Sequence, residues 1–140
     1  MTPSYRQVDA VGRDSVRMLE SSKLMAFVAT TDAPRARRFY EGQLGLTVTA
    51  DDPFALVLDA NGTMVRVQKV PSVPEAQYTI LGWEVPDIRA RVDALGAKGV
   101  TFERVKSLPQ DERGIWTAPD GTQVAWFRDP DRNLLSLTQF

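Results

Sequence analysis

Arg66 and Gln68 stand two residues apart in Met64–Val70, a run with the alternation of a strand, so both side chains leave the same face. A guanidinium beside a carboxamide makes a fork of donors suited to a carboxylate, a phosphate or a carbonyl. Glu84 alternates with Ile80 and Gly82 in a second strand-like run, Gln77–Val85. A carboxylate there has two uses. In a dry pocket its pKa rises and it becomes a candidate general base. Paired with Arg66, it is a structural ion that does no chemistry. The sequence leaves both uses open. Asp51-Asp52 has the form of a catalytic carboxylate pair, but it immediately precedes Pro53, and turn chemistry on a solvated loop is the plainer reading.

What is missing narrows the chemistry further. The 140 residues include neither histidine nor cysteine. Imidazole bases, thiolate nucleophiles, disulfides and thiolate zinc sites are therefore excluded. Catalysis, if there is any, falls to carboxylates, Arg, Lys, Tyr or bound water. A net charge of -1 and a pI near 5.4 argue against a nucleic-acid or anionic-membrane surface. Hydrophobic content of 43% and charged content of 25% are those of a globular protein. A chain of this size buries roughly 68–70% of its unfolded surface, so no cross-link is needed for folding. The first residues lack the basic-then-apolar order of a signal peptide, and no apolar run reaches roughly 18 residues. The expected location is the cytoplasm.

The elements that must position these residues repeat. Residues 1–22 are polar without a clear period and read as a tail or strap on the domain. Leu24–Thr31 then reads as a strand, Asp32 as a helix cap with Pro34 in the first turn, and Ala36, Phe39 and Tyr40 as the buried stripe. Strands follow at Leu46–Ala50, Ala55–Asp59 and Met64–Val70, the last two joined by the hairpin signal Asn61-Gly62. After a proline-bearing linker the order recurs. Gln77–Val85 is a strand, Asp87 a cap, and Ile88, Val92 and Leu95 a stripe; strands follow at Val100–Val105, Gln123–Arg128 and Leu134–Phe140. Laying Asp32 on Asp87 puts Met25 on Ile80, Phe27 on Gly82, Ala29 on Glu84 and Arg66 on Ser136. The expected fold is α+β, one domain over 23–140 made of two tandem βαβββ modules, about 23–71 and 77–140. Trp83, alternating with Glu84, should face its helix and serve the core, whereas Trp126 lies in a strand apolar on both faces and cannot be phased. The loop Leu108–Thr122 is long enough to be a lid or binding segment, and its Ile115-Trp116 pair should fold back over apolar surface.

Two βαβββ units with Phe39-Tyr40 on the first helix, Gly45-Leu46 after it and Asp129-Pro-Asp-Arg-Asn133 before the last strand resemble the vicinal oxygen chelate superfamily. It includes glyoxalase I, extradiol dioxygenases, fosfomycin-resistance and bleomycin-resistance proteins. The resemblance covers Leu24–Phe140. It implies curved sheets around a cavity, and in enzyme members a divalent metal held by His, Glu or Gln from the first and fourth strands of each module. Carried onto this chain, those positions are Met25, Arg66, Ile80 and Ser136. None is an established ligand of hard divalent metals. No metal and no other cofactor is therefore expected.

The resemblance also implies which residues face the cavity. Arg66, Gln68, Phe27, Glu84, Ser136 and Trp116 form the candidate ligand-binding set, with Glu84 the candidate catalytic residue. Phe27 would stack on a flat ligand or simply pack the core. One reading is a metal-free binding module for a small planar or anionic organic molecule. It is similar to the bleomycin-resistance branch, whose members sequester a drug in a cleft made by two subunits. The alternative is a glyoxalase-like lyase or isomerase acting on a small carbonyl compound, through an unforeseen metal site or through acid–base work by Glu84 with Arg66 as electrophile; a third is an interaction protein whose cavity is filled. A homodimer is expected by resemblance, with no nucleic-acid or membrane partner.

Overall fold

The computed structural model describes residues 18–140, together with the backbone of residues 6–8 and 14–16. Those two short runs pair as antiparallel strands β1 (Arg6–Val8) and β2 (Asp14–Val16). Residues 1–5, 9–13 and 17 of the expected tail lie outside the described residues.

The first module contains β3 (Met25–Thr30), α1 (Ala33–Arg37), β4 (Thr47–Asp51), β5 (Ala55–Ala60) and β6 (Thr63–Lys69). Its sheet runs β3-β6-β5-β4, with β3 parallel to β6 and the other pairs antiparallel. The second contains β7 (Leu81–Glu84), α2 (Ile88–Ala97), β8 (Trp116–Thr117), β9 (Gln123–Arg128) and β10 (Leu134–Gln139). Its sheet has the equivalent order, β7-β10-β9-β8, with β7 parallel to β10. The result is an α+β fold of two four-stranded mixed sheets, curved and not closed. Among the described residues no helix is long and apolar enough to cross a membrane.

Local chemistry explains why each element begins where it does. Asp32 and Asp87 both adopt extended backbone and accept the N–H three residues on, from Arg35 and Ala90 at 3.0 and 3.1 Å. Helix α1 continues as a wider π-helical turn, Arg38–Gln43, which buries Phe39 and Tyr40. Asn61 and Gly62 both have positive φ, +50° and +91°, so the β5–β6 turn is of the type whose twist matches the strands. One continuous core lies between helices and sheets, with Val28, Val65 and Val67 from one module and Phe127, Leu135 and Leu137 from the other.

Two strand expectations are corrected. Gln77–Ile80 is not in the sheet, and β7 starts at Leu81. Val100–Val105 forms a single bridge, Phe102 to Phe127, instead of a strand. The Gln110 carboxamide intervenes there. It accepts the Val105 N–H at 2.6 Å and donates to the carbonyls of Glu103 and Gly114 at 3.0 and 2.8 Å. A side chain thus takes bonds that a ladder would have made, and Trp116–Thr117 becomes the edge strand instead.

The module junction is polar. Asp131 Oδ1 accepts bonds from the backbone and hydroxyl of Thr31 and from the Arg35 guanidinium, and its Oδ2 accepts from Thr30 Oγ1 at 2.5 Å. Asp129 Oδ2 accepts from Tyr40 Oη at 2.6 Å and Asn133 Nδ2 at 2.7 Å, and Asn133 also reaches the Ala29 carbonyl. The Asp-Pro-Asp turn of one module is thereby fastened to the first strand and helix of the other. Burial, reinforced by the adjacent Asp129 charge, pushes the Tyr40 phenol far above its ordinary pKa. Burial likewise raises Asp129, against the bonds from Tyr40 and Asn133. At Asp131 burial also acts upward, but the bonds from Thr30 and Thr31 and the Arg35 charge together outweigh it and lower the pKa.

Candidate functional site

Each sheet turns one face to the helices and leaves the other open. Across the open face of the first sheet, Phe27, Arg66 and Val57 lie side by side on β3, β6 and β5, with Gln68 one step along β6 and Met25 and Met64 one step back. Phe27 is 50% exposed and Met25 and Met64 remain accessible, while Val57 is buried beneath them. The helix-facing residues of the same strands, Val28, Val65 and Val67, are in the core. Phe27 is therefore not a core side chain.

Arg66 does not pair with Glu84. Its Nη2 lies 3.6 Å from Asp52 Oδ2. The other oxygen of Asp52 accepts the N–H groups of Phe54 and Ala55, both at 2.8 Å. These backbone bonds, followed by the Arg66 charge, hold the Asp52 carboxyl below its usual pKa. The aspartates therefore do turn chemistry, as their position beside Pro53 suggests, with an addition the sequence did not show. The same turn that reverses the chain aims a carboxylate at Arg66, while Asp51 takes Lys69 at 2.7 Å. The signal missed was the β4–β5 turn's proximity to β6, a non-local pairing that spacing alone does not reveal.

On the second sheet the equivalent row is Gly82, Ser136 and Trp126 on β7, β10 and β9. Gly82 thus occupies the place of Phe27, and Ser136 that of Arg66, as the alignment of the two copies predicts. This row is close-packed. A Cβ built on Gly82 would stand 2.9 Å from Ser136 Oγ. Trp126 shares the open face with Trp116, ring centroids 6.1 Å apart, which resolves its phase. Ile115 turns the other way into the core.

The loop carrying Trp116 is well fastened. Arg113 makes two bonds to Asp93 on α2 at 2.9 and 3.2 Å, and Asp111 Oδ1 accepts the N–H groups of Arg113 and Ile115. Its expected role as a lid finds no support in such a tied segment.

Glu84 ends β7 and is exposed. The six candidates therefore fall into two groups, Phe27, Arg66 and Gln68 on one open face, and Ser136 and Trp116 on the other, with Glu84 at a strand end. Among the described residues, no cluster of three or more His, Cys, Asp or Glu side chains is placed to hold a metal ion. Met25, Arg66, Ile80 and Ser136 provide no carboxylate or imidazole.

Known proteins resemble this arrangement. Among curated proteins, none matches the chain. Of the solved structures, TnmS3, an antibiotic binding protein from Streptomyces sp. CB03234, is 25% identical, with TM-score 0.65 over 88% of this chain and 98% of its own. A glyoxalase/bleomycin resistance protein/dioxygenase from Alicyclobacillus acidocaldarius is 17% identical, with TM-score 0.64 over 86% of this chain and 92% of that one. Lactoylglutathione lyase from Agrobacterium tumefaciens is 18% identical, with TM-score 0.60 over 86% and 95%. The model of the Glyoxalase/Bleomycin resistance protein/Dioxygenase superfamily matches residues 23–137. With its repeat, its sheet order and its Asp-Pro-Asp junction, the chain belongs to that superfamily.

Proposed function

We propose that the open face around Phe27, Arg66 and Gln68 binds a small planar or anionic organic molecule, without a metal ion and without turnover. One observation carries this reading: Arg66 is steadied by a single distant contact to Asp52 and lies beside the half-exposed Phe27. A guanidinium has five N–H donors, and one 3.6 Å contact leaves most of them for a ligand. The phenyl ring supplies a flat apolar surface next to that charge. TnmS3, named an antibiotic binding protein, is the kind of neighbour this reading fits.

A second copy of the chain completes the cleft in this proposal. Met25, Phe27, Met64 and the 76%-exposed Phe54 leave large apolar groups in water on or beside one face, a surface suited to being covered. The Ser136 and Trp116 face of the second sheet is then the opposite wall. The lyase reading is less well supported. Its acid–base couple needs Arg66 beside Glu84, whereas the carboxylate nearest Arg66 is that of Asp52.

Elemental analysis of purified protein, with divalent metals added back and melting temperature as readout, tests the metal-free claim. No stoichiometric metal and no stabilisation by added metal is the expected result. A near-stoichiometric, stabilising Zn, Ni, Mn or Fe overturns it.

A further inference from the structure

The β4–β5 turn holds a fixed carboxylate against the proposed open-face site. Asp52 Oδ1 accepts the N–H groups of Phe54 and Ala55, both at 2.8 Å, and the Asp52 N–H donates to the Ala55 carbonyl at 3.0 Å. The turn is also tied to β6. Lys69 Nζ donates to the Asp52 carbonyl and to Asp51 Oδ1, each at 2.7 Å, and the Lys69 N–H reaches the Phe54 carbonyl at 2.9 Å. With Oδ1 held by two backbone donors, the carboxylate has little freedom to turn, and Oδ2 stays 3.6 Å from Arg66 Nη2.

This corner of the face carries two cations and two anions, Arg66 and Lys69 against Asp52 and Asp51, and their charges sum to zero. The two cations differ in what remains to them. Lys69 is held by short bonds to the turn. Arg66 keeps N–H donors for a ligand, but its charge is balanced by a neighbour anchored too well to be displaced. A guanidinium balanced in this way still donates to any acceptor, charged or neutral. What it loses is its preference for an anion, because an arriving carboxylate meets Asp52 as a like charge beside the same guanidinium.

We infer that Asp52 sets the charge selectivity of the open face, admitting planar ligands with a neutral carbonyl or amide acceptor on equal terms with carboxylates. Asp52 acts through Arg66, so it is a positioning residue. On the open-face reading, on which this rests, the ligand class becomes flat molecules that carry an acceptor, with or without charge. Asp52→Asn is the informative change. Its amide oxygen can still accept from Phe54 and Ala55, which turns an uncharged NH2 group toward Arg66 and leaves the guanidinium unbalanced.

The test is an NMR titration of protein carrying 13C-methyl methionine, with 2-naphthoate and 2-naphthamide as probes. Met25 and Met64 lie one step from Phe27 and Arg66 on the face, and Met25→Leu and Met64→Leu assign their signals among the four methionines. In the wild type both probes should shift these two signals saturably, with affinities within about threefold of each other. In Asp52→Asn, 2-naphthoate should bind at least about fivefold more tightly than 2-naphthamide, whose affinity stays at the wild-type value. Arg66→Ala should weaken both probes together. A measurement on the wild type alone adds an independent check: 2-naphthoate affinity should change little between about 0.05 and 0.3 M salt, because the corner has no net charge. An unchanged ratio of the two affinities in Asp52→Asn, a marked wild-type preference for 2-naphthoate, or a steep fall of its affinity with salt overturns the role of Asp52 and leaves the open-face reading standing. Equal binding to Arg66→Ala, or no shift at Met25 and Met64 with either probe, overturns both.

Discussion

The two modules share a backbone and differ in what they do with it. At equivalent positions on their first and fourth strands, one pairs Phe27 with Arg66 and the other pairs Gly82 with Ser136. The first pair projects a ring and a guanidinium into the open. The second brings two strands so close that a methyl group on Gly82 would collide with Ser136. Their hairpins diverge as well. The Asn61-Gly62 turn is local, whereas the Asp129–Asn133 turn is bonded to β3 and α1 of the other module. A duplicated fold has here separated its features, with an exposed ring and guanidinium on the first sheet and the fastening of the halves on the second.

Cutting that fastening should have the largest effect. Asp131→Ala removes the acceptor for Thr30, Thr31 and Arg35 together and should cost about 3 kcal/mol at neutral pH, read by urea denaturation. Its pH dependence has a definite sign. The folded pKa of Asp131 is depressed, so its stabilisation is complete above the unfolded value near about 3.9 and fades as pH falls through the folded value. Asp129 acts oppositely, because its raised pKa makes its charge a burden that grows as pH climbs from the ordinary carboxylate value through the folded one. The wild-type-minus-Asp131→Asn difference should therefore shrink in acid. A difference that stays constant from pH 3 to 7 contradicts the assignment.

Filling the tight row comes next. Gly82→Ala should destabilise by about 1–2 kcal/mol, and Ser136→Ala in the same chain should restore part of it by removing the Oγ. Equal penalties with and without Ser136 would break the comparison of the two rows. In the local turn, Asn61→Ala should cost about 1 kcal/mol, since a residue with positive φ loses one of the few side chains that tolerate it. The smallest effect belongs to Asp52→Asn through its contact with Arg66. That partly exposed pair at 3.6 Å contributes little to stability, so the change should show in ligand binding instead.

What the sequence revealed followed from locality. Asp32, Asp87 and Asn61-Gly62 act through bonds to residues three or four positions away, and the alternation that put Arg66 and Gln68 on one face is a property of the strand itself. The matching of Phe27 with Gly82 and Arg66 with Ser136 also survived, because repeats preserve register. Failures came where a distant side chain competed with a local pattern. Val100–Val105 has strand composition, but Gln110 captures its backbone groups. The partner of Arg66 came from a neighbouring turn. Asp129 and Asp131 stood out only as a motif, since their partners in the first module lie 89 to 101 residues away.

The central claim is that Arg66 on the first open face carries ligand recognition. A thermal-shift screen of planar aromatic carboxylates, followed by calorimetric titration of each hit against wild type and Arg66→Ala, tests it directly. Loss of at least tenfold in affinity, about 1.4 kcal/mol, with an unchanged melting temperature of the free protein, is the predicted result. Hits that bind Arg66→Ala as tightly as wild type would contradict it.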